Sequence, residues 1–292
     1  CFGAQRCDVY LAPFNEQQRK VFIDKYVEMG RATDASFDAA RYEKELARFT
    51  SLGPMLGEPF SLGLVLDALP PVMRATTYTT RFDIYLMFFH RWVRNERERA
   101  ISGDRDVEWM GDHEQLVGRV DALCQRVAFE MVRSGVETVA IGELSESDRL
   151  LAELAPLKGV GGDRLSFVHK SMQEFFAAQA LVAGDGKLLR SFRDWGRDGF
   201  PKPEHSMATL QFVADRVRSE SIFREGCWNA SKTCAILLSV IDESKIDGDL
   251  SCGASLAASA LNMADRPFYK ADLSRARLPF ALLDGVNLSG AN

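Results

Sequence analysis

The sequence predicts a mainly α-helical protein with short strands and a repeat at its end, and four stretches of the 292-residue chain carry this prediction. Residues 80–100 and 113–134 each place apolar side chains on one face at helical spacing and charged side chains on the other, which indicates amphipathic helices. Between residues 138 and 168 the pattern changes to short strand-like runs separated by glycines. Near the end, leucine recurs every five residues, a period that fits neither a helix nor a simple strand, at Leu273, Leu278, Leu283 and Leu288.

The composition is that of a globular protein of two or three compact units. Hydrophobic residues make up 46% of the chain and charged residues 26%. The net charge is −5, and the densest basic stretch, 91–99, is interleaved with glutamates, so we do not expect nucleic-acid binding. The six cysteines form no CxxC pair, which argues against a zinc site or a disulfide framework. No run approaches the roughly 18 apolar residues of a membrane span, so we expect a cytoplasmic protein without a membrane partner.

The first part of the chain shows helices with recognisable starts. Asn15 is placed to cap a helix that follows a short strand-like run at 9–13. A second helix is expected at 41–49. Glycines and prolines predict a loop at 51–59, and Pro59 suits the first turn of the next helix because its missing N–H needs no partner there.

The middle of the chain combines helices with a small hairpin. Gly135 is a good C-cap for the helix at 113–134, and the strand-like runs follow it. Helices followed by a hairpin fit a winged-helix unit. The expected elements are a strand at 138–141, a helix at 146–154, a strand at 165–168 and helices at 171–183, 210–217 and 233–241, with a break at 199–203.

One segment resembles a known signature. Residues Phe167 to Ala178 read Phe-Val-His-Lys-Ser-Met-Gln-Glu-Phe-Phe-Ala-Ala, which resembles the winged-helix signature of NACHT proteins, the family of the NOD-like receptors. Leu-Ala-Pro-Phe at 11–14, Gly-Glu-Pro at 57–59 and Thr-Arg-Phe-Asp-Ile-Tyr at 80–85 follow the same order. The resemblance spans 9–181. It implies the end of a nucleotide-binding domain and a small helical domain at 1–75, a winged-helix domain at 76–184 and a second helical domain at 185–255.

The resemblance implies two nucleotide-binding residues. The histidine at the position of His169 reaches the β-phosphate of bound ADP, a role that suits an imidazole because it donates a hydrogen bond to an anion. The alternative is that His169 only caps the following helix or packs in the core. Pro59 matches a proline that packs against adenine, although it serves equally as an ordinary helix-start proline.

The sequence also departs from the family pattern. No segment fits GxxxxGK[ST], and no acidic Walker B strand precedes Val9, so this chain should not hydrolyse ATP. We expect no catalytic residue and no metal site in it. Because both motifs lie upstream in the family, and because the chain runs from Cys1 into an unfinished repeat at Asn292, we expect a fragment. A degenerate relative is the alternative, and whether the intact protein is a slow ATPase stays open.

The tail resembles the pentapeptide-repeat family, whose A-(D/N)-L-x-x units wind a right-handed β-solenoid. Ala271-Asp-Leu273 and Val286-Asn-Leu288 are good copies of the unit. We therefore expect incomplete pentapeptide repeats at 256–292. Isolated repeats of this kind are unstable without stacked neighbours.

Together the resemblances imply a nucleotide-gated signalling switch. ADP holds the domains closed through His169 and Pro59, the repeats sense or bind a protein ligand, and ATP favours self-association. ADP or ATP with Mg is the expected cofactor of the intact protein, and none should bind tightly to this chain alone. The expected partners are the missing nucleotide-binding core, further copies and an unknown protein ligand. The alternatives are a nucleotide-independent interaction scaffold and a winged-helix DNA binder, which the acidic balance disfavours.

Overall fold

The structure, a computed structural model, is mainly helical, as the sequence predicted. It describes residues 12–30, 36–75, 79–103, 108–191, 207–222, 231–266, 268, 271–289 and 291. Within these residues there are eleven α-helices and one three-stranded sheet. The chain divides into two compact units, Cys1–Thr79 and Thr80–Asn292. The finer domain boundaries stay predictions.

The first unit contains three helices. They are α1 (Glu16–Glu28), α2 (Ala39–Leu46) and α3 (Pro59–Ala75), with a 3-10 helix at Thr50–Gly57 before α3. Asn15 caps α1 through a reciprocal pair of hydrogen bonds with Gln18, which confirms the predicted helix start. The expected loop at 51–59 was wrong for most of its length. Buried Leu52 and Met55 anchor the segment to the core, and a 3-10 helix tolerates its short glycine- and proline-containing sequence. Residues 9–11 of the strand-like run predicted at 9–13 lie outside the described residues, and residues 12 and 13 are in no strand.

Aromatic packing holds the first unit together. Tyr42 of α2 is fully buried, and the rings of Tyr26 and Phe37 lie 5.8 Å and 5.1 Å from it. The Tyr26 hydroxyl also donates a hydrogen bond to Asp67, which ties α1 to α3. Edge and tilted contacts at these distances are the favoured geometries of aromatic pairs.

The second unit begins with two long helices and a small sheet. The elements are α4 (Arg81–Ser102), α5 (His113–Ser134), β1 (Val139–Ala140), α6 (Glu146–Ala152), β2 (Leu157–Gly159), β3 (Arg164–Phe167) and α7 (Lys170–Val182). The strands are antiparallel in the order β1-β3-β2. Gly135 ends α5 with a φ of 65°, a left-handed conformation that favours glycine. The predicted helices, caps and hairpin are thus found here within a few residues.

Helix α7 forms the centre of the second unit, because nearly all of its residues are buried. Phe175 and Phe176 are fully buried at its middle. Phe175 packs between rings of α4 and of the later helix α9 (Met207–Ile222), and Phe176 packs against α4 and β3. The residues around α7 therefore hold its first turn in a fixed place.

The remaining helices are α8 (Lys187–Ser191), α10 (Lys232–Ser244) and α11 (Ser251–Met263). The structure places residues 256–263, which we expected in the repeats, in α11 instead. Small side chains cover this helix on all sides, so its middle turns pack closely against α9 and α10. The predicted break at 199–203 lies outside the described residues.

The tail after α11 turns once every five residues. Backbone hydrogen bonds from residue i+3 to residue i repeat at this interval, from Ala271 to Phe268 and onward to Ala291 and Leu288. Arg275, Phe280 and Gly285 occupy the third position of successive turns with φ values of 61°, 66° and 70°. A positive φ at that position is characteristic of type II turns. The leucine period of the sequence therefore corresponds to a repeated turn.

Polar side chains of α10 and α11 bind the backbone of this tail. The buried Ser259 hydroxyl accepts a hydrogen bond from the Leu282 amide at 2.8 Å. Asn262 donates to the carbonyl oxygens of Leu282 and Asp284, each at 3.1 Å. On α10, Ser244 accepts from the Arg277 amide at 3.3 Å. The two helices thus satisfy backbone groups along one side of the turns.

A carboxyl group lies within the packing of α5 against α7. Asp121 accepts hydrogen bonds from Gln125 at 2.7 Å and from Gln179 at 3.2 Å. Burial raises the pKa of Asp121, and the two amides and the more distant charge of Arg216 oppose this effect. Since the folded pKa exceeds the unfolded one, the stability contributed by this group is greatest at low pH and falls as pH rises through the folded pKa.

We expect Asp121→Asn to make the protein more stable than the wild type at pH 7, because the amide removes a partly desolvated charge while its single oxygen still accepts from one of the two glutamines. The gain should vanish near pH ~3, where the wild-type carboxyl is protonated in both states. Urea unfolding at both pH values measures the difference. A variant destabilised to the same extent at both pH values would contradict this account.

Candidate functional site

His169, the residue that the sequence singled out, lies between β3 and α7 and is half-buried. It is the N-cap of α7, with extended backbone angles of −148° and 147°. Its Nδ1 accepts a hydrogen bond from the Ser171 backbone N–H at 3.2 Å. This is the capping role that the sequence left open as an alternative. Capping by Nδ1 does not test a contact at Nε2, so the nucleotide contact stays a prediction.

Contacts on both sides of His169 fix its backbone. Before it, Phe167 is buried and stacks on Phe176 with 5.6 Å between ring centroids. The Val168 amide donates to the Pro156 carbonyl at 3.0 Å, which joins the residue to the hairpin. After it, α7 enters the core at once. The histidine is thus attached to rigid elements rather than to a loop.

Ser171 and Tyr85 connect His169 to the core through a chain of hydrogen bonds. The Ser171 hydroxyl lies 2.6 Å from Nδ1 of His169, and the Tyr85 hydroxyl donates to the same Ser171 oxygen at 2.7 Å. Tyr85 is 1% exposed. Sequence reasoning missed both residues, because it assigned Tyr85 only to the apolar face of α4. The available signal was the hydroxyl itself, since a buried tyrosine usually needs a hydrogen-bond partner.

Two lysines lie close to His169 along the backbone. The Lys158 amine of β2 donates to the Val168 carbonyl at 3.3 Å, and Lys170 pairs with Glu137 at 3.4 Å. Lys170 and Glu137 are both well exposed, so this pair contributes little to stability. The charge of Lys170 is offset by Glu137, so the Lys158 amine and the N-terminal dipole of α7 are the positive features near His169.

Pro59 belongs to the first unit. It is the first residue of α3 and is exposed. The end of the 3-10 helix before it is held in place, since the Phe14 amide donates to the Gly57 carbonyl at 2.7 Å. A Cβ added to Gly57 would lie 3.0 Å from Cβ of Pro13. Glycine at 57 therefore permits a close backbone contact, and Pro59 projects from a fixed turn.

Other kinds of site are not found in the described part of the chain. There, no group of three or more His, Cys, Asp or Glu side chains could hold a metal ion. Cys124, Cys234 and Cys252 are in no disulfide, and burial raises the pKa of the Cys124 thiol well above its ordinary value. None of the helices in the described ranges combines the length and apolar character that a membrane crossing requires.

Comparison with known proteins adds no relative to this picture. No protein-family model and no curated protein matches the sequence. The likeness to NACHT proteins therefore depends on the motif residues quoted above, with His169 at their centre.

Proposed function

We propose that this chain carries the helical and winged-helix parts of a NACHT-type, nucleotide-gated switch, in which His169 binds the β-phosphate of ADP. The observation that carries the proposal is the position of His169 within its signature. The imidazole stands half-exposed at the first turn of α7, with Nδ1 engaged and the helix N-terminus beside it. Helix N-termini favour anions, so the donor set fits a phosphate oxygen.

Two features of the fold support the finer architecture. The order of two helices, a strand, a short helix and a hairpin from α4 to β3 supports a winged-helix domain. The turn at every fifth residue after α11 supports the start of a pentapeptide β-solenoid.

The proposed switch requires a contact made in one state and lost in the other, because a nucleotide shifts an equilibrium only by differential binding. His169 would donate to the phosphate only in the ADP-bound state. The negatively charged phosphate of bound ADP would accept the hydrogen bond from His169. Loss of the His169 contact would then favour the state in which copies associate.

A nucleotide-independent scaffold is the second candidate, because the helices and turns could present a binding surface without any nucleotide contact. Phe280 is 64% exposed on the tail and Ile246 is 92% exposed after α10, but single exposed apolar side chains are ordinary on protein surfaces. The DNA-binding alternative has less support. Helix α6, which stands where a winged helix reads DNA, carries Glu146 and Asp148 in its first turn, and their charges would repel phosphates.

The test is ADP binding to the protein expressed from the full open reading frame, provided that the frame encodes a P-loop upstream of this chain. His169→Ala should weaken ADP binding roughly ten- to hundredfold, as expected for a lost hydrogen bond to a charged group. His169→Asp is the matched variant, since aspartate caps a helix well but repels phosphate. It should weaken ADP binding at least as much while keeping the thermal stability of the wild type. Isothermal titration calorimetry and thermal unfolding measure the two effects.

His90→Ala, at an exposed histidine of α4, serves as the control and should leave ADP affinity unchanged. ADP affinity that is the same in the wild type and both His169 variants contradicts the proposal. A reading frame without a P-loop does so as well, and either result favours the scaffold.

A further inference from the structure

We propose that Tyr85 and Ser171 are positioning residues that hold the neutral His169 ring with its proton on Nε2. The geometry of three side chains and one backbone amide carries this inference. The tautomer does not depend on the proposed function. Only the kind of ligand atom that His169 would contact rests on that function.

The backbone amide of Ser171 decides which ring nitrogen carries the proton. That N–H points at Nδ1 of His169 from 3.2 Å. An amide N–H can only donate, so Nδ1 must present its lone pair. In a neutral imidazole the other nitrogen then bears the hydrogen, and Nε2–H becomes the donor of the ring.

The Ser171 hydroxyl strengthens this choice. Its oxygen lies 2.6 Å from Nδ1 and accepts the Tyr85 hydroxyl proton at 2.7 Å. Since a serine hydroxyl has one proton, and Tyr85 donates its own, the Ser171 proton points to Nδ1. A ring protonated at Nδ1 would set two donors, the ring N–H and the amide, against each other.

Packing prevents Tyr85 from turning away. Its ring lies 5.6 Å from that of Phe175 and 4.8 Å from that of Phe212, and the side chain is 1% exposed. The hydroxyl is therefore aimed at Ser171 by α4, α7 and α9 together. His169 thus obtains its orientation from the core of the second unit.

The consequence is selectivity for the ligand atom. A fixed Nε2–H donates to an anionic oxygen, such as that of a phosphate, whereas a metal ion requires an unprotonated nitrogen. The held tautomer therefore presents an N–H donor that suits the phosphate oxygen of the proposed function.

The experiment is 15N NMR of the imidazole of His169 above pH 8, where long-range couplings identify the protonated nitrogen. The wild type should show the Nε2–H form. Ser171→Ala should raise the share of the Nδ1–H form roughly threefold to tenfold, as expected for one lost hydrogen bond, and Ser171→Thr should restore the wild-type ratio. Tyr85→Phe, which keeps the packed ring, should shift the ratio in the same direction. Tyr26→Phe removes a tyrosine hydroxyl of the first unit and is the control.

An Nδ1–H form in the wild type would overturn the inference, and so would a ratio unchanged by both Ser171→Ala and Tyr85→Phe. The NMR result does not depend on nucleotide, so it is separable from the proposed function. If the Nε2–H form is found but ADP binding ignores His169, the proposed function fails while the positioning of the ring stands. Weaker ADP binding by Tyr85→Phe at unchanged thermal stability would support both.

Discussion

Replacing Phe175 with alanine is expected to lower the free energy of unfolding of the Thr80–Asn292 unit by about 3–5 kcal/mol. Phe175 is fully buried, and rings from α4 and α9 surround it, with centroids 5.4 Å away for Phe82 and 5.6 Å away for Phe212. The cavity would form where three helices meet. Ion pairing between Arg81 and Asp215 also joins two of these helices, which limits their collapse into the space.

Urea unfolding followed by circular dichroism measures this loss as a lower transition midpoint. Phe175→Leu retains much of the volume and should cost less than half as much. Phe280→Ala is the surface control, because that ring is 64% exposed, and it should change stability by no more than ~0.5 kcal/mol. Equal effects of Phe175→Ala and Phe280→Ala would show that α7 does not pack as described.

Two glycine-to-alanine substitutions in helices should have opposite effects on stability. A Cβ on Gly253 of α11 would lie 2.1 Å from the Leu189 carbonyl oxygen, so α8 and α11 must separate, and we expect a loss of about 3 kcal/mol. Gly118 of α5 is exposed and has no atom within 4 Å of the added Cβ. There, alanine should stabilise the protein by about 0.5–1 kcal/mol, because it restricts the unfolded chain.

Thermal unfolding of the two variants side by side gives a direct comparison, since the chemical change is identical. Gly118→Ala controls for helix propensity. If Gly253→Ala unfolds at the wild-type temperature or above it, the close approach of α8 to α11 is wrong.

The parts of the fold that local sequence determines were predictable. The apolar periodicity of α4 and α5 and the caps at Asn15 and Gly135 act within a few residues, and the structure confirms them. The five-residue turns were also visible, because the repeat is written along the chain. Helix α11 was missed because alanines and serines surround it on all sides, which gives no amphipathic pattern.

The candidate site was predictable only in part. His169 stands out through its motif, and its place at a strand end before a helix follows from neighbouring residues. The contact between Tyr85 and Ser171 joins residues 86 positions apart, so it depends on how α4 packs against α7. No local pattern encodes such a contact. The nucleotide role of Pro59 and His169 stays a prediction until binding is measured.

The hydrogen bonds from Ser244, Ser259 and Asn262 to the tail have a mechanical consequence. A tail joined to the helices at one point would rotate about that point, and a force on the tail would not reach the helices. Here the load on the turns is shared between α10 and α11, both of which pack on α9. A ligand that displaced the turns would therefore strain the packing of α10 and α11 on α9 instead of moving the tail alone.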